Sequence, residues 1–223
     1  MQRYYQGQLD FFCAIYAVIN ALTALYGINL TQARALLATI LSDVSRHPGL
    51  WEATLLNETD FHWLADHMLL ACARSPSYPV RVSRPFTCDH EISETALDLA
   101  NARAYCETPY DYGLRKPQNA PILWQAFTSF LPEMPEQPRA GTAKRVAMLR
   151  FHRYIRYVDT PVVSHWSVAD YRRDGLLHLR DASKEESALY SLDPAVTVFA
   201  PELISETHTV RIEPESVYFI ERR

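Results

Sequence analysis

Glycine is scarce in this sequence, six residues among 223. A phosphate-cradling loop needs several glycines at fixed spacing, and neither GxxxxGK[ST] nor GxGxxG occurs, which argues against nucleotide chemistry. No CxxC pair is present either. The four cysteines, at 13, 72, 88 and 106, suit neither a zinc ribbon nor a thioredoxin-type redox motif. Blocks of lysine and arginine are missing, and 22 basic against 26 acidic residues leave a net charge of -4. That balance argues against a nucleic-acid partner. Residues 1–8 are polar and lack the apolar core of a secretory signal,. No uninterrupted apolar stretch approaches the length that spans a bilayer. The expectation is a chain without membrane contact, working in a reducing cytoplasm. That cytoplasm is its own or that of a target cell, reached by a route this chain does not encode. Disulfides are not expected there.

Apolar residues make up 48% and charged residues 22%, an ordinary globular composition, and the length suits a single domain with a sizeable core. Residues 12–26 read as a helix stopped by Gly27. Thr31 reads as the cap of a second helix over 31–41, and Thr59 as the cap of a third over 60–74, each with apolar positions every three to four residues. Fainter helical patterns cover 93–105 and 120–131. The breaker-rich stretch 131–141 carries three prolines and reads as a joint between lobes. Beyond it the period changes. Strands are expected at 145–158, 162–171, 176–179, 196–199 and 217–221, with Asp174-Gly175 as a hairpin turn. Helices first and antiparallel strands second predict an α+β fold in one domain, 1–223, mainly helical over 1–131 and mainly β over 142–223.

Cys13 is the most informative residue. It follows Gln8-Leu9-Asp10-Phe11-Phe12 and opens the first helix, where the positive end of the helix dipole favours a thiolate. A small buried residue on an amphipathic helix is the ordinary alternative for such a cysteine, and Cys72 on its apolar helix face fits that description. Gln8 is placed to offer a side-chain N–H to an oxyanion, with Gln6 as a rival at less suitable spacing. Far downstream stands Ser164-His165-Trp166-Ser167-Val168, followed after a hairpin by Asp181. A histidine beside a tryptophan is often only packed. Here the returning strand brings a carboxylate back toward the imidazole, fixing its tautomer and freeing the other ring nitrogen for the thiol. Asp170 follows too closely in the same strand to serve, and Asp174 fits the turn tip. With ordinary pKa values of roughly 8.5 and 6.5, a thiol and an imidazole can settle as a thiolate–imidazolium pair.

In order and type, Gln8, Cys13, His165 and Asp181 resemble the site of the papain-like cysteine peptidase superfamily. The short hairpin between base and carboxylate looks more like the compact bacteriocin-leader-processing peptidases, and the small domain resembles papain-fold bacterial toxin domains. The likeness rests on residues 8–21 and 162–183. Two departures stand out: Phe12-Cys13-Ala14 replaces the usual Asp-Cys-Gly, and Gln8 lies five rather than six residues before the cysteine. The resemblance implies a helical lobe with its catalytic helix packed on an antiparallel β lobe. It implies a protease that cuts a polypeptide amide through an acyl-enzyme, with no metal and no organic cofactor. The partners implied are a protein or peptide substrate and, for a toxin or effector without a prosegment, an immunity protein covering the cleft. A papain-fold amidase, deamidase or transglutaminase shares the same pair, and a binding module without turnover is the non-enzymatic alternative.

Other clusters read as structural. His62 and Asp66 are one helical turn apart, but His62 and His67 face different ways, so no metal site is expected. Arg153, Arg156, Arg172 and Arg173 form a modest basic feature that reads as a solvated sheet edge. Asn29 and Asn57 begin glycosylation sequons with no export signal to support their use. Trp124 and Phe127 are helix-spaced core aromatics.

Overall fold

The computed structural model describes residues 12–56, 61–87, 92, 117–156, 162–181, 183 and 189–223. Gln6, Gln8, Asp10, Asn57, Thr59, Cys88, Cys106 and the expected helix at 93–105 lie outside the described residues. The rest form an α+β fold in which five helices and two short 3-10 turns accompany one seven-stranded sheet.

Helix α1, Cys13–Tyr26, is stopped by Gly27 in the left-handed conformation, its N–H donating to the Thr23 carbonyl. Helix α2, Leu30–Ser45, starts earlier than expected and is capped by Asn29 rather than Thr31. Asn29 accepts from the Gln32 N–H while the Gln32 side chain returns the bond to the Asn29 N–H, a capping box. Helix α3, Pro48–Leu55, begins with a proline in its first turn, where the missing N–H costs nothing. Helix α4 spans His62–Arg74, and helix α5 spans Ala120–Phe130.

The strands are β1 Val80–Ser83, β2 Arg145–Tyr154, β3 Val162–Arg173, β4 Leu176–Leu179, β5 Ser191–Leu192, β6 Thr197–Val198 and β7 Val210–Arg222. Their order is β1-β7-β2-β3-β4-β5, with every neighbour antiparallel, and β6 lies parallel to the start of β7. Asp174 (φ 53°) and Gly175 (φ 81°) form the expected turn between β3 and β4.

Alternation along β2 and β3 divides the core into two layers. Val146, Met148, Trp166 and Val168 pack in the cluster that includes buried residues of α1 and α4. Ala147, Leu149, Phe151 and Ala169 pack on the opposite side with Leu123 and Phe127 of α5. The sheet is therefore covered on both faces. Two elements cross the expected division of lobes, since β1 joins the sheet from the helical half and α5 covers the sheet's far face. The stretch 131–141 is stitched to the end of β3, with the Met134 N–H donating to the Arg172 carbonyl at 2.8 Å and the Arg172 N–H to the Pro132 carbonyl at 3.0 Å.

Candidate active site

Cys13 is the first residue of α1 and is partly buried. Phe12 occupies the N-cap and its side chain makes no capping hydrogen bond. No N-cap side chain therefore competes with a thiolate or an oxyanion for the first N–H groups of the helix. Eleven of the fourteen residues of α1 are buried, which fixes the axis on which the thiol is carried.

His165 lies near the start of β3, opposite Phe151 of β2, whose ring meets the imidazole edge-on at 5.7 Å. The β3–β4 hairpin then returns the chain, and the Arg180 N–H donates to the Val168 carbonyl at 2.7 Å just beyond β4. This delivers the next residue, Asp181, to the imidazole. The His165 Nε2–H donates to Asp181 Oδ1 at 2.8 Å, with side-chain exposures of 12% and 1%. The Asp181 carboxylate also accepts from the Ser183 N–H at 2.7 Å and the Leu189 N–H at 2.9 Å. With Nε2 so engaged, Nδ1 is the nitrogen left for the Cys13 thiol, which hydrogen-bonds to the same ring.

The electrostatics follow from these contacts. Burial alone pushes the His165 pKa down, but hydrogen bonds to Asp181 and Cys13, with the charges of both, raise it to about 9. The imidazole is thus charged at neutral pH, the state that partners a thiolate. Burial pushes the Asp181 pKa up, yet the hydrogen bond and charge of His165 and the two N–H donors hold it below the ordinary carboxylate range. Cys72 shows the contrast. Burial with nothing to offset it pushes that thiol up to about 12, so it stays protonated and inert.

The structure brings together three of the four expected site residues, Cys13, His165 and Asp181. The fourth, Gln8, lies outside the described residues. Asp170 is buried and bound to His178 at 2.8 Å and to Arg180, while Asp174 sits exposed at the turn, near Arg173. Sequence reasoning missed Ser183, whose Oγ lies 3.2 Å from His165 Nε2. Its only signal was its place two residues after the carboxylate, where the backbone N–H can close an Asx turn.

The metal-like segment separates. The His62 ring lies 2.6 Å from Ser216 Oγ, and His67 faces Asp43 at 3.5 Å. Among the described residues no group of three metal-ligating side chains converges, and no helix is long and apolar enough to cross a membrane. The basic feature divides as well. Arg153 lies opposite Val163 at the start of β3, Arg156 follows the end of β2 and faces Glu206, and Arg172 and Arg173 lie at the end of β3.

No protein-family model matches the chain, and no curated protein or solved structure matches it. The site is therefore read from its own geometry: a thiol at a helix start and a buried carboxylate share one imidazole.

Proposed function

We propose that this chain is a papain-like cysteine hydrolase that cleaves polypeptide amide bonds. The observation that carries the proposal is the single imidazole held between the Cys13 thiol and the buried Asp181 carboxylate. The Cys13 thiolate attacks the scissile carbonyl, forming a C–S bond and an oxyanion stabilised at the start of α1 and by Gln8. His165, charged in the resting pair, gives its proton to the leaving amine as the C–N bond breaks. It then takes a proton from water, whose oxygen attacks the thioester; the C–S bond breaks, the acid product leaves and the thiolate–imidazolium pair is restored. Asp181 holds the ring orientation and stabilises the imidazolium throughout. A nucleophile-bearing helix packed on an antiparallel sheet that carries the base supports the papain-like reading of the fold. A protein that covers the cleft belongs to the same proposal as the restraint on an active enzyme.

The test is the rate of Cys13 alkylation by iodoacetamide against pH, in wild type and in His165→Ala. Fast alkylation that persists well below pH 8 and disappears in His165→Ala is the expected result. A rate that rises only near the ordinary thiol value, about 8.5, and ignores His165→Ala would remove the catalytic role and leave the binding module. Product analysis then identifies the reaction: a new peptide N-terminus marks proteolysis, free ammonia a deamidase, and an isopeptide crosslink a transglutaminase.

A further inference from the structure

A long irregularity interrupts the pairing of β2 with β7 beside the strand that carries His165. Leu149 pairs with Val217 and Phe151 with Ile212, so Arg150 alone faces Glu213, Pro214, Glu215 and Ser216. Pro214 has no N–H to give to a ladder, and bulges of this kind re-aim side chains near functional sites. Here Glu213 and Ser216 become the centre of a polar network. Glu213 Oε1 accepts from His152 Nε2 at 2.5 Å and from Arg211 Nη2 at 2.6 Å. Its Oε2 accepts from Ser216 Oγ at 2.8 Å and lies 3.6 Å from Arg150 Nη1.

Two arms leave this centre, and both end on neighbours of His165. Arg150 Nε donates to Ser164 Oγ at 2.7 Å. Because Ser216 gives its proton to Glu213, it accepts from His62 Nε2 at 2.6 Å, and the His62 ring meets Trp166 edge-on at 5.1 Å. The residues immediately before and after His165 are thus held from one carboxylate. Burial pushes the Glu213 pKa up, but its hydrogen bond to His152 and the charges of Arg150, His152 and Arg211 bring it down to about 2. The centre keeps its charge across the working range.

We propose that Glu213 is a positioning residue: through Arg150–Ser164 and Ser216–His62–Trp166 it fixes the segment from which His165 reaches both Cys13 and Asp181. The inference rests on the hydrolase reading of His165, but its test does not depend on turnover.

The test is an NMR titration of the His165 imidazole in the Cys13→Ala background, where Asp181 and Ser183 are the polar groups known to face the ring. Glu213→Gln and Arg150→Gln are compared. If the network positions the ring, both variants loosen its bond to Asp181 and lower its pKa by about half a unit or more. If the network acts only through charge, loss of the carboxylate lowers the value and loss of the guanidinium raises it. Opposite shifts, or no shift in either, would overturn the proposal. Ser164→Ala, at an exposed site, removes the Arg150 anchor without a change of charge and should shift the value in the same direction. It also keeps the test decisive if Glu213→Gln does not fold, because an unchanged titration in folded Ser164→Ala and Arg150→Gln overturns the proposal as well. Failure of the hydrolase reading shows separately, in the wild-type alkylation profile.

Discussion

Asp181→Asn tests the electrostatics of the site through stability rather than through turnover. In the folded protein His165 titrates at about 9 instead of its ordinary 6.5. The folded state therefore holds this proton more tightly than the unfolded chain. The stabilisation is complete below pH 6.5 and is lost as the pH climbs through 9. At about 1.4 kcal/mol per pH unit the rise corresponds to about 3 kcal/mol. Asp181 and Cys13 each contribute a hydrogen bond and a charge to that rise, with Asp181 the stronger in both, so its share is on the order of 2 kcal/mol. The substitution adds a cost that does not depend on pH. Both carboxylate oxygens accept N–H groups, so either orientation of an amide sets its NH₂ against a buried donor, costing about 1–3 kcal/mol. Thermal or urea unfolding from pH 6 to 9.5 should show Asp181→Asn less stable by about 3–5 kcal/mol at pH 6, with about 2 kcal/mol of that gap closing by pH 9.5. In melting temperature the pH 6 difference is about 10 °C for a chain of this size. A gap that stays constant across the range would refute the argument, because the imidazolium would then owe nothing to Asp181.

Asp66 gives a slope of the same sign in a lower pH window,. Burial raises its pKa to about 6 despite the Tyr218 hydrogen bond and the charges of Arg84 and His62, so its contribution to stability falls as the pH rises from about 4 to 6. Asp66→Asn should gain on wild type by up to about 3 kcal/mol between pH 4 and pH 7, and parallel urea profiles at the two pH values would refute this. Gly141 and Gly175 both have positive φ, 77° and 81°, but their surroundings differ. A Cβ at Gly141 would lie 2.9 Å from the Gly27 nitrogen, whereas one at Gly175 would meet nothing within 4 Å. Gly175→Ala should cost about 1–2 kcal/mol for the left-handed backbone alone, and Gly141→Ala a further ~1–3 kcal/mol for the clash. Equal denaturation midpoints would show that the contact between Gly27 and Gly141 is not tight.

What the sequence disclosed depended on the range of each interaction. Helix α1, the Asp174-Gly175 turn and the Cys13–His165–Asp181 set were legible because each carries a local signal: a glycine stop, a turn dipeptide, a thiol at a helix start and a carboxylate one hairpin away. The Asn29-x-x-Gln32 capping box was also local, and reading Thr31 as the cap overlooked it. Helix α3 is short, with too few turns for an apolar period to emerge. Strand β1 has four residues and pairs with β7 about 140 positions later, so its partner cannot be inferred from neighbours. The expected strand at 217–221 is the second part of a β7 that begins at Val210, because Pro214, which has no N–H for a ladder, reads as a break in a strand. The Glu213 network joins α4, β2, β3 and β7, and no spacing within one element marks it.

The order of strands has a consequence for the protein as it is made. β7 is the last strand in chain order, yet it lies between β1 and β2 inside the sheet. A growing chain that has passed Asp181 holds every member of the proposed catalytic set but lacks the strand that joins β1 to β2 and brings Glu213 against Arg150. Domains fold as units when their last essential piece emerges, at roughly 5–20 residues per second during synthesis. The roughly 40 residues from Asp181 to the end of β7 thus amount to a delay of a few seconds. During that interval the proposed nucleophile exists as sequence and not yet as a site. On the proposed hydrolase reading, topology thereby keeps the chain inert toward its own nascent form until β7 is in place.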